Sequence, residues 1–146
     1  MLTAIGAKLV LATAGVLTLP MQIQADFILV PNGNGNGGAG EAAFTVQATG
    51  TTWTEFELSC EVLTPTGQED SFFIWFDNST YKYTWHAGSR TSFGWAAVGK
   101  SFTLSPGWHT LHIGNREDGA KLRRLRISSG NAVFADTSML SDCYRH

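Results

Sequence analysis

Few side chains in this sequence carry chemistry, and their spacing decides what each could do. Glu117 and Asp118 are adjacent carboxylates, and a pair of carboxylates is what glycoside hydrolysis requires, one as acid and one as base or nucleophile. Neighbouring side chains on a turn diverge, however, and Asp118-Gly119 has the chemistry of a hairpin corner. A solvated turn is the expectation. His86 and His112 have no third ligand at metal-binding spacing, so no metal is expected. There is no Gly-x-Ser-x-Gly elbow, phosphate loop or zinc motif. The chain is therefore expected to have no catalytic residues and not to be an enzyme.

In Gly107-Trp-His-Thr-Leu-His-Ile113 the inward parity of a strand falls on His109, Leu111 and Ile113. His109 is expected as a hydrogen-bonded core histidine. Trp108, Thr110 and His112 then point outward, and an outward Trp either contacts a glycan or protein or packs beneath a loop or the N-terminal segment. Cys60 and Cys143, the two cysteines, could form one disulfide in an exported protein. Cys60 equally suits a free thiol buried as a small hydrophobe. Asn78-Ser-Thr80 is a glycosylation sequon if the host glycosylates.

The elements that must position these groups read as short strands. Hydrophobic residues make up 43% and charged residues 15% of the 146, with 16 Gly, a balance that suits one all-β domain of extracellular type and excludes a disordered chain. A net charge of −2 leaves no basic field for nucleic acid. No apolar run reaches the roughly 18 residues of a membrane-spanning helix. The clearest strand is Glu55 to Val62, with Phe56, Leu58, Cys60 and Val62 on one side and Glu55, Glu57, Ser59 and Glu61 on a wet one. Asp70 to Asp77 is apolar on both sides, which predicts a central strand or one covered by a loop or partner. Tyr81 to Trp85, Trp95 to Leu104, Trp108 to Ile113 and Leu122 to Ile127 follow, separated by turn chemistry. This succession predicts a β-sandwich or jelly roll.

Residues 1–25 admit two readings. Lys8, the apolar stretch Leu9 to Leu19 and Ala25 fit a secretory signal. Leu17, Leu19, Met21 and Ile23 also alternate with polar residues, as a half-buried strand would. The expected division is therefore 1–25 as signal or N-terminal strand segment, 26–130 as the sandwich, and 131–146 as a C-terminal tail.

The segment Gly107 to Ile127 resembles the C-terminal strand pair of β-sandwich carbohydrate-binding modules of families 6 and 35, through Gly107-x-His-Thr-Leu-x-Ile113 and Arg116-Glu-Asp-Gly-x-Lys-Leu122. Further matches are Leu17-Thr-Leu-Pro-Met21, Asp26, Ile28-Leu-Val-Pro-Asn-Gly33, Asp70-Ser-Phe72, Asp77 and Trp95, so the resemblance spans Leu17 to Ile127. It implies a jelly roll that binds polysaccharide without catalysis, is secreted or at the cell surface, and stacks aromatic rings on sugar faces. The candidate stacking residues are Trp85, Phe93 and Trp108, with Asp118 and Lys121 as hydrogen-bonders. The resemblance aligns Trp95 with the family's core Trp, and Lys121 with its sugar-contacting Asn. The family's structural calcium uses a Glu-x-Glu pair and an Asp on the last strand. The Asp position is Arg123 and no Glu precedes Glu41, so no calcium is expected, with an ion pair of Arg123 to an acid in its place. The alternative function is an assembly subunit or adhesion module of a filament or matrix that uses the same fold and self-associates.

Overall fold

A computed structural model describes residues 7–33 and 39–135. Among the described residues, twelve strands pack as two antiparallel sheets. The first sheet runs β3 (Gln22–Gln24), β4 (Phe27–Leu29), β11 (Lys121–Ser129), β6 (Thr54–Thr64), β9 (Arg90–Leu104). β1 (Leu9–Leu11) pairs with the 124–126 part of β11, while β4 pairs with the same strand at Leu122. The second sheet runs β12 (Ala132–Phe134), β5 (Glu41–Ala48), β10 (Gly107–Asn115), β7 (Ser71–Phe76), β8 (Tyr83–His86), with β2 (Val16–Thr18) also on β5. This is the expected all-β sandwich of jelly-roll type. Its only helical residues among those described are the 3-10 turn Ala12–Ala14.

Period-2 alternation builds the core. Phe56, Leu58, Cys60 and Val62 of β6 face Phe44 and Val46 of β5, Leu111 and Ile113 of β10, and Phe72 and Ile74 of β7 in one buried cluster. β7 is central, between β10 and β8, as its two apolar faces predict. The second face of β6 departs from its expected wetness, since Glu61 is only 4% exposed and Ser59 is also buried. Trp95 departs too. It pairs with Glu61 on the outer side of the sheet and is half-buried rather than in the core.

Cys60 is a free, fully buried thiol whose pKa is pushed up to about 12 by desolvation, which is the small-hydrophobe reading. Cys143 lies outside the described residues. His109 is the hydrogen-bonded histidine its parity predicts. Its Nδ1–H donates to Asp77 Oδ2 at 2.7 Å and its Nε2–H to the Ser105 carbonyl at 2.8 Å. Desolvation opposes its charged form, but these two acceptors outweigh it and raise the imidazole pKa.

The segment before Asp26 is woven into both sheets through β1, β2 and β3, and it places Val10, Ala12 and Met21 in the core cluster. Burying a Val or Met side chain contributes about 1.5–3 kcal/mol. A chain beginning at Asp26 is therefore expected to lose more than about 3 kcal/mol of stability and its sharp urea transition. An unchanged midpoint would show that β1 to β3 do not support the core.

Candidate functional site

Two surfaces compete for the role of a binding site, one on the outside of each sheet. On the β11 sheet the organising feature is a bulge. Leu122 pairs with Val62 and Arg124 pairs with Glu61, which leaves Arg123 as an extra residue. Arg123 and Arg124 therefore emerge on the same outer face, while Leu122, Leu125 and Ile127 all stay buried. Both guanidiniums converge on Glu61. Arg123 Nε and Nη2 donate to Oε1 and Oε2 at 2.9 and 2.8 Å, and Arg124 Nε and Nη2 to the same oxygens at 2.7 and 2.9 Å. The hydrogen bonds from Arg123, then those from Arg124, lower the Glu61 pKa from 4.5 to about 2 against the cost of its burial.

Aromatic rings flank this pair. The Arg123 guanidinium lies 4.3 Å from the Phe93 ring centroid, and Arg126 and Arg124 lie 4.2 and 5.4 Å from that of Trp95. Phe93 also meets Phe27 at 5.7 Å, and the Lys121 ammonium stands 6.0 Å from Phe27. Phe93 and Lys121 are thus brought onto one patch, as their motif positions imply, but Phe93 is packed by Phe27 and Arg123. Asp118 does other work there. Its Oδ2 accepts from Gly33 N–H at 2.9 Å, and Gly119 N–H donates to the Val30 carbonyl at 2.7 Å, so the two turns lock together. Gly119 takes φ +89°, a conformation that other residues adopt only with strain.

Glu117 turns away from Asp118 and accepts from Ser71 Oγ at 2.5 Å and Asp70 N–H at 3.1 Å. The adjacent carboxylates diverge, as the hairpin reading requires. At the position where the family motif has an oxygen ligand, Arg123 presents a cation engaged with Glu61 and 3.7 Å from Asp26. This is the ion pair expected there.

Trp85 corrects one expectation. It is 3% exposed and stacks on Phe72 at 5.8 Å, because its strand parity on β8 points it between the sheets. A ring with no free face cannot stack on a sugar.

The outer face of the β10 sheet is different. Trp108 is 59% exposed, as its outward parity predicts. It pairs with Gln47, and Thr110 with Thr45, continuing to His112 opposite Trp75 on β7. Trp108 and His112 are four residues apart on one strand, roughly 13 Å. The His112 ring lies parallel to the Trp75 indole at 4.8 Å, and its Nδ1–H donates to Glu41 Oε2 at 2.5 Å. The Lys82 ammonium stands 4.2 Å from the Trp75 ring centroid. Gly114 permits this arrangement, since a Cβ there would lie 2.7 Å from Trp75 Cζ3. Beside the indole is a cavity of about 140 Å³ lined by Gly40, Glu41, Phe73, Lys82, Gly114 and Asn115, among others. Aromatic walls with a few fixed polar groups are the usual composition of a ligand site. Trp75, Lys82 and Glu41 escape sequence reasoning because they lie on three strands or their flanks, far apart in the chain. The only signal was the second apolar face of Asp70 to Asp77.

No protein-family model matches the chain, and no curated protein matches it. Solved structures do. The fold is that of a β-sandwich carbohydrate-binding module, and among such modules it resembles family 35. The family 35 module Xyl-CBM35, solved with a glucuronic acid containing disaccharide, is 14% identical with a TM-score of 0.59, over 88% of this chain and 98% of that one. The family 35 module from Clostridium thermocellum is 14% identical with a TM-score of 0.53, over 84% and 99%. A Podospora anserina GH26-CBM35 β-(1,4)-mannanase is 18% identical with a TM-score of 0.58, where this chain covers 28% of that protein.

The Glu61 pair generates a prediction with a defined sign. Its folded pKa lies below its unfolded value, so its stabilisation is present above about pH 4.5 and lost as pH falls toward 2. Glu61→Gln is expected to cost about 1.5–3 kcal/mol at pH 7. The gap to wild type should shrink at pH 3 in urea titrations. A pH-independent gap would assign the cost to packing.

Proposed function

We propose that this protein binds carbohydrate without catalysis, using the outer face of the β10 sheet as its platform. The observation that carries this reading is the 59% exposed Trp108 on the same sheet face as the half-buried Trp75 indole. Thr45, Gln47 and Thr110 lie between them, and His112, Glu41 and Lys82 lie at the Trp75 end. Exposed rings contribute apolar contact to the faces of sugars, and fixed polar groups select their hydroxyls. The β11 face is the weaker platform, because Phe27, Phe93 and Trp95 are all half-buried and engaged by arginines or one another, and none is exposed as Trp108 is. Binding is proposed to be calcium-independent and to serve an exported or surface protein, as such modules in secreted polysaccharide-active proteins would.

Affinity electrophoresis over a polysaccharide panel tests this. The wild type should be retarded by at least one polysaccharide with or without chelator, and Trp108→Ala or Trp75→Ala should weaken the interaction roughly three- to tenfold. A folded wild type retarded by none would sink the proposal.

A second reading, self-assembly, is favoured by apolar residues left outside near the N-terminus, with Val16 74%, Leu19 77% and Ile23 52% exposed. Light scattering should then report a concentration-dependent oligomer that Leu19→Ser weakens. A strict monomer at every concentration would exclude it.

A further inference from the structure

Trp75 lines a second cavity besides the one on the platform. This is a crevice of about 120 Å³ at the edge of the sandwich where β8 begins, walled by Phe76, Tyr81, Tyr83, Lys100 and Phe102, with Ile74 at its back. Its chemistry differs from the first. The polar cavity holds Glu41, Lys82 and Asn115, whereas this one is lined by rings that belong to the aromatic core. Phe56 meets Phe76 at 88°, Phe76 meets Phe102 at 61° and Tyr83 meets Phe102 at 83°, with centroids 5.7, 5.3 and 6.2 Å apart. Such an edge-to-face array is extended most favourably by another aromatic ring. An apolar protein cavity of about 150 Å³ stays dry and accepts benzene, so the volume suits one ring.

The walls are preformed. Ser79 N–H donates to the Phe76 carbonyl at 3.1 Å and Tyr81 N–H to Ser79 Oγ at 3.2 Å, which holds Tyr81 over the crevice although its side chain is 66% exposed. The preceding residue pair is anchored as well, since Asp77 Oδ1 accepts from Thr110 N–H at 2.9 Å and Asp77 N–H donates to the Thr110 carbonyl at 2.8 Å. Little ordering remains to oppose an incoming group. The Lys100 ammonium, 5.4 Å from the Tyr83 centroid and 5.9 Å from that of Phe102, supplies a cation for the oxygen or ring face of that group.

We infer that the crevice takes an aromatic ring carried as an aryl or aromatic-acyl substituent on the bound glycan, with Trp75 as the wall shared between the sugar and its decoration. This rests on the platform reading for the sugar, and the test separates the two. Aromatic-region NMR with methyl 4-hydroxybenzoate, which has no sugar, should shift the Tyr81, Tyr83 and Phe102 signals at millimolar concentration. Calorimetry with methyl and 4-nitrophenyl β-glycosides of xylose, mannose and galactose should show the aryl member of at least one pair binding roughly five- to tenfold tighter. Tyr81→Ala and Lys100→Ala, both on surface side chains, should abolish that preference and leave the methyl glycoside unaffected. Unshifted crevice signals at saturating methyl 4-hydroxybenzoate overturn the inference. So does equal affinity of the aryl and methyl members, or a preference that survives both variants. Shifted crevice signals in a protein that no polysaccharide retards would uphold the crevice and overturn the platform instead.

Discussion

A single buried carboxylate organises one whole side of this sandwich. Glu61 sits on the outer face of β6, where alternation would leave it wet, and it is covered because two consecutive arginines of the neighbouring strand reach it together. Consecutive residues of a regular strand point to opposite faces. The bulge at Arg123 is what permits both to face outward, and it also resets the phase of β11 so that Leu122, Leu125 and Ile127 all enter the core. Four charge-assisted hydrogen bonds saturate the Glu61 oxygens and offset its desolvation, which alone would be destabilising. The pairing spans the bulge in the register of β11 against β6, and β1 and β4 dock on the same strand.

The same interaction determines what the β11 face can offer a ligand. Arg123 and Arg124 spend their fork of donors on Glu61 and their planes on Phe93 and Trp95, so cation and aromatic are both engaged inside the protein. On the opposite sheet the Trp75 indole is engaged as well, by the His112 ring and the Lys82 ammonium, but Trp108 stands 59% exposed. The outer face of that sheet has the smaller groups Thr45, Thr110 and Gly114 between aromatic residues, and a glycine where a side chain would push the Trp75 indole off the sheet.

Much of the architecture was legible from periodicity. The inward set Phe56, Leu58, Cys60 and Val62, the two-faced β7, the inward His109 and outward Trp108, and the divergent Glu117 and Asp118 all follow from parity and turn chemistry. The bulge was in principle visible in Leu122-Arg-Arg-Leu-Arg-Ile127, where apolar residues at 122, 125 and 127 break strict alternation. Trp85 shows the limit. An aromatic residue in a short strand with little flanking pattern has no readable parity, and the neighbouring rung on β7 placed it inward against Phe72.

The class of fold, the inward and outward faces of the long strands and the hydrogen-bonded His109 were all readable along the chain, because each is a local property of period, turn or residue type. Which outward residues meet is set by the packing of distant strands. Glu41, Trp75, Lys82 and His112 become neighbours through the antiparallel pairing of β5, β10 and β7, and Phe27 reaches Phe93 only across the β11 sheet. Register between distant strands is fixed by how whole inner faces pack. No spacing along the chain records it.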